Sequence, residues 1–356
     1  MRHVDTSADN RCAGWTRGLV LAAIALAGCS SEEIVAPMPP LHPLPAEPIT
    51  RPQIAFVSNR DGREYVYVAN ADGSAVGRLA LGSAPAWSWD GEKIAYVGES
   101  GAGIHVMDPD GSNQLRLTQG GGSPAWSPNG RITFEMFTES AGYGIFVMNA
   151  DGTGVTGLID AEADFPADSS ACYDYIGDPV PCQPSVGAAT WSPDGQTVAF
   201  TRSPGAGPLQ LSLMDADGTH PRLLTESIRF MGPAFSPDGT TLAFEWGDVF
   251  RPDVCGGVHW IATASPNATD SSEFEVVCGP ALGSPSSPGW SHHGTQLVFS
   301  QASRAGDSSS SPSPTQQRIY LVQLADRRWQ QLVPDAVDPR QEVYDDYAPT
   351  WAPVAR

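Results

Sequence analysis

A short element that recurs along the chain restricts its possible folds more than any other feature. Complete copies are APAWSWDGEKIAYV (84–97), SPAWSPNGRITFEM (123–136), AATWSPDGQTVAFT (188–201), GPAFSPDGTTLAFE (232–245) and SPGWSHHGTQLVFS (287–300), and the C-terminus cuts short a further copy, APTWAPVAR. The anchor aromatics of these copies are Trp87, Trp126, Trp191, Phe235, Trp290 and Trp351. A unit of roughly 40 residues, lengthened by insertions, is the period expected of β-propeller blades.

Each unit predicts four antiparallel strands. A short strand ends at Trp-Ser, an Asp-Gly or Asn-Gly hairpin turn follows, and an alternating strand such as TVAF comes next. A third strand such as GIFVMNADG ends in a second Asp-Gly turn, which leads to the fourth strand. The N-terminal strands (53–81) lack a first strand, whereas the C-terminal strand (347–353) is a first strand alone. We therefore predict an all-β fold, a six-bladed β-propeller of four-stranded antiparallel blades that is closed by pairing of its two ends.

The repeats resemble the WD40-like repeats of the TolB β-propeller family. The resemblance is carried by Ser58-Asn59-Arg60-Asp61-Gly62, by Met-Asn-Ala-Asp-Gly at 148–152 and by Trp-Ser-Pro-Asp-Gly at 191–195. It extends from Gln53 to the end of the chain. The resemblance implies a propeller of the cell envelope that binds a protein partner, which for TolB is the peptidoglycan-associated lipoprotein. TolB carries an α/β domain before its propeller, and this chain resembles the propeller alone.

The N-terminal residues predict export and lipid attachment. A basic start precedes the apolar run GLVLAAIALAGC, which ends in a lipobox, Leu26-Ala27-Gly28-Cys29. We predict a lipoprotein signal peptide over 1–28, lipidation with palmitate at Cys29, and a Pro-rich tether over 29–52 that leads to the propeller at 53–356. The alternatives are an ordinary secretory signal and an uncleaved anchor. The expected location is the bacterial envelope, on the periplasmic side of the outer membrane.

The charge balance excludes one class of partner. The formal net charge is −20, and Lys93 is the single lysine. Nucleic acids and anionic membrane surfaces are bound by clustered Lys and Arg, which this chain lacks. Cationic partners, divalent metals and simple solubility all remain compatible with the charge.

The insertions between repeats are unevenly distributed over the two ends of the predicted propeller. At one end, here the plain face, tight turns join strand one to strand two and strand three to strand four. At the other end, the elaborated face, lie the connections between strands two and three and between blades. Insertions on the elaborated face are 160–187, 246–257, 279–287, 301–317 and 333–347, whereas 263–272 is on the plain face. Loops that exceed a repeat's minimum are usual binding sites, with neutral loop drift as the alternative.

Two acidic insertions form the candidate binding face. Its residues are Asp160, Glu162, Asp164, Asp168, Tyr173, Asp174, Tyr175 and Asp178 in the first insertion, and Asp335, Asp338, Glu342, Tyr344, Asp345, Asp346 and Tyr347 in the second. Aromatic residues among carboxylates suit a cationic or sugar-bearing partner, or a Ca²⁺ ion. The spacing of an EF-hand loop is not present, so we predict no cofactor and keep Ca²⁺ as the less favoured alternative.

Four cysteines of the predicted exported domain form an even set and are expected to pair as disulfides. Cys172 and Cys182 lie in the same insertion, and a disulfide between them would cross-link it. Cys255 and Cys278 flank a hairpin that is expected to turn near Pro266-Asn267, which would place these two cysteines opposite each other on neighbouring strands. Cysteine-based catalysis and zinc binding are not supported, since the sequence has no CxxC motif.

The sequence favours a binding protein over an enzyme. His105 and His259 fall in a mostly aromatic column of the third strands and are expected to pack between blades. No Gly-x-Ser-x-Gly elbow occurs, and the recurring Asp residues are expected to form turns. We predict a monomeric, non-catalytic, lipid-anchored scaffold that presents its acidic face to a protein or cell-wall partner. The alternative is a polysaccharide lyase or hydrolase with an active-site funnel on the same face, which should gather His, Arg and Asp, whereas a binder should have a mostly apolar or neutral funnel.

Overall fold

The structure is a computed structural model that describes most of the chain after residue 52. The described residues are 53–138, 142–160, 172–173, 179–180, 185–204, 208–227, 232–247, 259–277, 285–304, 315–332 and 345–353. Within these ranges, no helix has the length and apolar character needed to cross a membrane. The predicted signal peptide, Cys29 and the tether lie outside the described residues.

The described residues form strands joined by short connections. In chain order the strands are β1 (Gln53–Ser58), β2 (Tyr65–Asn70), β3 (Gly77–Trp87), β4 (Ile94–Gly98), β5 (Ile104–Met107), β6 (Leu115–Arg116), β7 (Gly122–Trp126), β8 (Arg131–Thr138), β9 (Gly142–Asn149), β10 (Thr156–Asp160), β11 (Cys172–Tyr173), β12 (Pro179–Val180), β13 (Ser185–Trp191), β14 (Thr197–Ser203), β15 (Leu209–Asp215), β16 (Arg222–Ser227), β17 (Ala234–Phe235), β18 (Leu242–Gly247), β19 (His259–Ala264), β20 (Glu275–Val277), β21 (Pro285–Trp290), β22 (Gln296–Arg304), β23 (Thr315–Gln323), β24 (Trp329–Gln331) and β25 (Asp346–Trp351). Within the described ranges, the helical elements are two single 3₁₀ turns, Glu99–Gly101 and Ser271–Glu273.

The arrangement of these strands corrects the prediction of six four-stranded blades. The described residues contain four separate four-stranded sheets, namely β7–β10, β13–β16, β17–β20 and β21–β24. Seven of the remaining strands form one continuous sheet in the order β25-β1-β2-β3-β4-β5-β6, and β11 pairs with β12 alone. The prediction was wrong because β3 is a single strand of 11 residues, whose first part pairs with β2 and whose last part pairs with β4. The all-β character and the antiparallel pairing are as expected.

The two ends of the described chain lie side by side. β25 pairs with β1 in antiparallel register, with Ile54 opposite Trp351 and Ser58 opposite Asp346. Asn59 and Arg60, which follow β1, add polar contacts to this pairing. The Asn59 amide donates to the Asp345 carbonyl (3.2 Å), and Arg60 Nη2 donates to Asp346 Oδ1 (2.7 Å). The Ser-Asn-Arg-Asp-Gly segment therefore adds hydrogen bonds that stabilise the pairing of β25 with β1.

The recurring Trp-Ser-Pro-Asp-Gly segment is a turn whose hydrogen bonds are satisfied internally. In the copy at 191–195, Ser192 Oγ donates to Asp194 Oδ1 (2.6 Å), and the same carboxylate oxygen accepts from the Gln196 amide (3.0 Å). The Gly195 amide donates to the Ser192 carbonyl, and Gly195 has a φ of +69°, which glycine adopts without a steric penalty. Asp194 is therefore occupied by the turn, and the same geometry recurs at Ser236 and Asp238.

The turns of neighbouring sheets also pack against each other around the plain face. A Cβ atom on Gly239 would lie 3.3 Å from Pro193 in the preceding turn, and one on Gly294 would lie 3.6 Å from Pro237. The proline of each segment thus contacts the turn glycine of the next sheet. The proline and the glycine of the Ser-Pro-Asp-Gly segment therefore pack against neighbouring turns in addition to forming their own turn.

The anchor aromatics lie between neighbouring sheets. Trp87, Trp126, Trp191 and Trp351 are buried, and Phe235 and Trp290 are half-buried. Trp191 Nε1 donates to Thr133 Oγ1 (3.2 Å) on β8 of the preceding sheet. Trp290 Nε1 donates to the Ala234 carbonyl (3.0 Å). Within the described part of the chain, Nε1 of Trp87, Trp126 and Trp351 is buried without a hydrogen-bond partner.

The register of β19 and β20 corrects the argument for one cysteine pair. Ile261 lies opposite Val277 and Thr263 opposite Glu275, so the hairpin is centred near Thr269 rather than near Pro266-Asn267. The shift arises because the connection contains the 3₁₀ turn Ser271–Glu273, with Asp270 as its N-cap. The register argument for Cys255 and Cys278 was therefore wrong. Both cysteines lie outside the described residues, as does Cys182, so the disulfides stay predictions.

Candidate functional site: a central channel and its mouth

A channel runs between the innermost strands of the sheets. Its wall is formed by the last part of β3 and by β7, β13, β17, β21 and β25, and the enclosed cavity has a volume of about 1100 Å³. Each of these wall segments contains or is preceded by one residue in the left-handed region, with φ between +47° and +52°: Ala84, Ser123, Ala188, Gly232, Ser287 and Ala348. In five of the six pairings the register shifts at this residue, which is the mark of a β-bulge.

Side chains of the neighbouring strand hold these bulges in place. Thr201 Oγ1 donates to the Gly187 carbonyl (3.0 Å), and Ser300 Oγ lies 3.2 Å from the Ser286 carbonyl. At the equivalent position of β8, Glu135 accepts a hydrogen bond from Ser123 Oγ (2.6 Å). Three of the six bulges are therefore hydrogen-bonded to a side chain of the neighbouring strand.

The chemical character of the wall is mostly neutral. Ala, Pro, Gly and Ser form most of it, together with the edges of the anchor aromatics. Among its described residues, the acidic and basic side chains are Glu64, Glu135, Arg202 and His292. His292 lies at the plain end, where His292 and His293 replace Pro-Asp, and the other three lie toward the elaborated face. We call the elaborated end, lined by Glu64, Glu135, Tyr143, Arg202, Leu209 and Tyr347, the channel mouth.

Glu64 and Tyr347 form a hydrogen-bonded pair at the mouth. Glu64 precedes β2, and Tyr347 is the second residue of β25, so the two ends of the described chain meet here. Burial raises the pKa of the Tyr347 phenol, and its hydrogen bond to Glu64 raises that pKa further. Tyr347 therefore stays a neutral hydrogen-bond donor.

Glu135 lies against the channel wall between two sheets. Its Oε1 accepts the Ser123 hydrogen bond, while its Oε2 occupies the space that a side chain at position 187 would need: a Cβ on Gly187 would lie 2.2 Å from it. Gly122 likewise leaves room for the carboxylate, since a Cβ there would lie 3.0 Å from Oε1. Two small wall residues thus allow a carboxylate to reach the channel from the second strand of its sheet.

An exposed aromatic pair borders the mouth. Phe137 and Tyr143 face each other on β8 and β9 with ring centroids 5.2 Å apart and an edge-to-face angle of 66°. Phe137 is 57% exposed and Tyr143 is 46% exposed. The β8–β9 hairpin carries them beyond the level of the neighbouring hairpin, because β8 and β9 pair over eight positions whereas β4 and β5 pair over four.

The predicted acidic binding face is only partly within the described residues. Asp160 is half-buried at the end of β10, and Tyr173 belongs to β11. Asp345, immediately before β25, and Tyr347, within it, are half-buried. Asp346 is buried and bonded to Arg60, so its carboxylate belongs to the fold and not to an exposed face. Outside the described residues lie Glu162, Asp164, Asp168, Asp174, Tyr175, Asp178, Asp335, Asp338, Glu342 and Tyr344.

The histidine and aspartate residues weighed for catalysis have other contacts. His105 packs on Tyr96, with ring centroids 5.3 Å apart, and a Cβ on Gly98 would clash with the His105 ring at 2.5 Å. In the second turn of the repeat, Asp110, Asp151 and Asp217 each accept hydrogen bonds from the Ser or Thr two residues later. No group of three His, Cys, Asp or Glu side chains within the described ranges has the geometry to hold a metal ion.

Sequence reasoning missed the residues of the channel mouth. Glu135 could have been noticed, because its column is neutral at Val57, Val97, Thr201 and Ser300 and carries a glutamate in two copies, Glu135 and Glu245. A glutamate in a strand position that is neutral in the other copies is a signal for a special environment. Glu64, Arg202 and the Phe137–Tyr143 pair come together only through the arrangement of the sheets and carry no such signal.

Comparison with known proteins agrees with this geometry. No protein-family model matches the chain. The Tol-Pal system protein TolB of Gluconobacter oxydans is 45% identical over 58 residues, which are 16% of this chain and 13% of that protein. An uncharacterized protein of Agrobacterium fabrum is 27% identical over 196 residues, which are 51% of this chain and 62% of that protein. In these alignments the chain therefore spans less than two thirds of either relative.

A solved structure gives the same fold over a larger part of the chain. The crystal structure of TolB from Acinetobacter baumannii superposes with a TM-score of 0.62 at 21% identity, covering 85% of this chain and 67% of that one. The sheets arranged around a channel define the chain as a β-propeller. More particularly, its fold is similar to that of TolB, and one stretch of 58 residues is similar to TolB in sequence.

Proposed function

We propose that the chain is a non-catalytic binding scaffold of the bacterial envelope, which presents the elaborated face of its propeller to a protein or cell-wall partner. The observation that carries the proposal is the composition of the channel. A catalytic funnel should gather acid, base and nucleophile groups, whereas this channel is mostly neutral, with Glu64, Glu135 and Arg202 dispersed around its mouth.

The contacts of the ionisable residues support a binding role. Among the described residues, the hydrogen-bond partners of the Glu64 and Glu135 side chains are hydroxyl groups, those of Tyr347 and Ser123. The many aspartates of the repeats are held in turns at the plain face and cannot move to a substrate without breaking those turns.

The envelope location rests on two independent features. The lipobox that ends at Cys29 predicts export and lipid attachment, and the similarity to a Tol-Pal system protein comes from the propeller repeats. A tether of Pro-rich sequence over 29–52 would hold the propeller away from the membrane surface and leave its elaborated face accessible.

Capture of partners from native envelope extracts tests the proposal. The immobilised full-length mature chain is compared with a variant in which 161–184 and 333–344 are replaced by Gly-Ser links of the same length. The control replaces 305–314, a connection on the same face without acidic residues other than Asp307. We expect the first variant to lose crosslinked partners that the control keeps. Equal capture by the two variants would refute a role of the acidic insertions in binding.

A further inference from the structure

The turn between β7 and β8, on the plain face, differs from its counterparts in the residue before its glycine. Asp90, Asp194 and Asp238 hold this position in three other copies, whereas Asn129 holds it here and forms the one Asn-Gly pair of the sequence. We propose that Asn129 is a site of spontaneous deamidation in the folded protein, which gives this turn an aspartate or an isoaspartate. The site lies away from the channel mouth, and the inference does not depend on the proposed binding function.

The reaction needs water and two groups that adjoin each other in the chain. The Gly130 amide nitrogen attacks Cγ of Asn129, the C–N bond of the side-chain amide breaks, and ammonia leaves with the proton of the Gly130 nitrogen. Water then opens the resulting succinimide ring at one of its two carbonyl carbons. Opening at the side-chain carbon gives aspartate, whereas opening at the main-chain carbon gives isoaspartate, whose main chain runs through Cγ. Neither step needs an oxidant or a reductant.

The surroundings of the turn allow this reaction. Asn129 and Gly130 are both exposed, so ammonia can leave and water can reach the ring. A Cβ atom on Gly130 would meet nothing within 4 Å. In two equivalent turns, a Cβ on Gly91 or on Gly239 would lie 3.3 Å from a proline of another segment. The β7–β8 turn therefore has room to rearrange that these two turns lack.

The β7–β8 turn also holds its side chain by fewer contacts than the other turns hold theirs. Those turns are one residue longer, and their aspartate oxygen accepts from the serine hydroxyl and from the amide two residues on, as in Asp194. In the β7–β8 turn, the amide two residues on is that of Arg131, and it donates to Ser127 Oγ (2.9 Å) instead. Ser127 Oγ in turn donates to Asn129 Oδ1. The hydroxyl of Ser127 is thus the group that holds the Asn129 side chain in the turn.

Main-chain hydrogen bonds of the turn should set the rate of the reaction. The Gly130 amide donates to the Ser127 carbonyl (3.0 Å), and its nitrogen must leave that carbonyl to attack Cγ of Asn129. The bond from the Ser127 amide to the Arg131 carbonyl (2.7 Å) closes the same turn. Since a hydrogen bond of this kind shifts an equilibrium by roughly fivefold, we expect the folded chain to deamidate about tenfold or more slowly than the unfolded chain.

The two products should affect the turn differently. An aspartate at position 129 would accept from Ser127 Oγ as Asp194 accepts from Ser192 Oγ (2.6 Å), and it would add one negative charge to the plain face. An isoaspartate adds one carbon to the main chain of the turn, which moves the Gly130 amide away from the Ser127 carbonyl. We therefore expect the aspartate form to be as stable as the unmodified chain and the isoaspartate form to be less stable.

Peptide mapping tests the inference. The full-length mature chain is incubated at pH 8, folded or unfolded in guanidinium chloride, and samples are digested with trypsin over time. Cleavage after Arg116 and Arg131 releases 117–131, whose sole asparagine is Asn129. Mass spectrometry measures the replacement of the amide by a carboxyl group, and chromatography against synthetic standards separates aspartate from isoaspartate. The variants are Ser127→Ala, the matched control Ser192→Ala in the β13–β14 turn, and Asn129→Asp.

We expect Asn129 to react before the other asparagines, in the folded chain as well as in the unfolded chain. Ser127→Ala should react about fivefold faster than the unmodified chain when folded, and at the same rate when unfolded. Ser192→Ala should match the unmodified chain at Asn129 in both states, and Asn129→Asp should keep the Tm. An unmodified Asn129 in the folded chain, earlier reaction of another asparagine, or equal rates for the two folded serine variants would overturn the inference.

Discussion

The hydrogen bond between Trp191 and Thr133 allows a direct test of how neighbouring sheets hold each other. Thr133 is fully buried on β8 and Trp191 is 2% exposed on β13. Thr133 Oγ1 accepts from Trp191 Nε1 (3.2 Å) and donates to the Ala125 carbonyl (3.1 Å). Thr133→Val removes both hydrogen bonds while nearly preserving the shape of the side chain, so no cavity forms.

The expected effect follows from the groups left behind. An unsatisfied buried donor such as the indole N–H costs about 1–3 kcal/mol, and the additional buried methyl group returns about 0.8 kcal/mol. We therefore expect Thr133→Val to lower the free energy of unfolding by about 1–2 kcal/mol, which corresponds to a fall of about 2–5 °C in Tm. Chemical denaturation followed by tryptophan fluorescence, together with a thermal melt followed by circular dichroism, measures both quantities.

The chain offers a reciprocal control. Val298 occupies the position on β22 that Thr133 occupies on β8, since Val298 lies opposite Gly289 as Thr133 lies opposite Ala125. It packs in one cluster with Trp351, whose Nε1 is buried without a partner in the described part of the chain. Val298→Thr should leave the free energy of unfolding unchanged or raise it by up to about 1 kcal/mol. A Thr133→Val change below about 0.3 kcal/mol, or a Val298→Thr loss above about 1.5 kcal/mol, would refute the reasoning.

Three further predictions concern the turns and the pairing of the chain ends. Hydrogen bonds from Ser192 and the Gln196 amide hold the pKa of Asp194 below its usual value, and Ser236 and the Thr240 amide do the same for Asp238. Their contribution to stability is therefore complete above a pH of about 4, the usual aspartate pKa, and is lost as the pH falls through the lowered values. Urea titrations should therefore give a lower free energy of unfolding at pH 3 than at pH 6. Asp194→Asn should reduce this difference in the free energy of unfolding. Asp346→Asn removes the carboxylate charge that Arg60 contacts and should lower the free energy of unfolding by about 3–5 kcal/mol. Hydrogen exchange should then increase in β1 and β25 before the other sheets, and uniform exchange would argue against a local role. Gly239→Ala places a Cβ 3.3 Å from Pro193, whereas Gly130→Ala, at the equivalent turn of β7 and β8, meets nothing within 4 Å. Both glycines have positive φ, so both substitutions should lower the free energy of unfolding by about 1 kcal/mol. Any additional loss for Gly239→Ala, measured in thermal melts, is due to the contact between the two turns. Equal losses would show that this contact contributes nothing to stability.

Much of the local structure could be predicted because short-range chemistry decides it. The Asp-Gly and Asn-Gly pairs form hairpin turns wherever they occur, since glycine accepts positive φ and the preceding Ser and Asx side chains bond the turn. The pairing of β1 with β25 also follows from the sequence, because each end of the chain lacks the strand that the other end supplies.

Other features depend on distances that sequence patterns do not contain. β3 is one continuous strand that pairs with β2 at its start and with β4 at its end, so two expected blades form one seven-stranded sheet. Whether two neighbouring sheets share a strand in this way depends on how they meet in three dimensions. The register of β19 and β20 depends on a 3₁₀ turn inside their connection, and this turn moved the hairpin centre away from the position that the residue count suggested. In both cases, non-local geometry overrode a local pattern.

The amino-acid sequence by itself determined the repeating strands, their turns and the aromatic anchors, because each of these depends on residues a few positions apart. Only the tertiary structure assigned roles to individual charges. Two adjacent residues of one acidic segment show the difference: Asp346 is buried against Arg60, whereas the next residue, Tyr347, reaches the channel mouth beside Glu64. Successive side chains of a strand point to opposite faces, and which face meets an arginine and which meets the channel depends on segments that are more than 280 residues away in the chain.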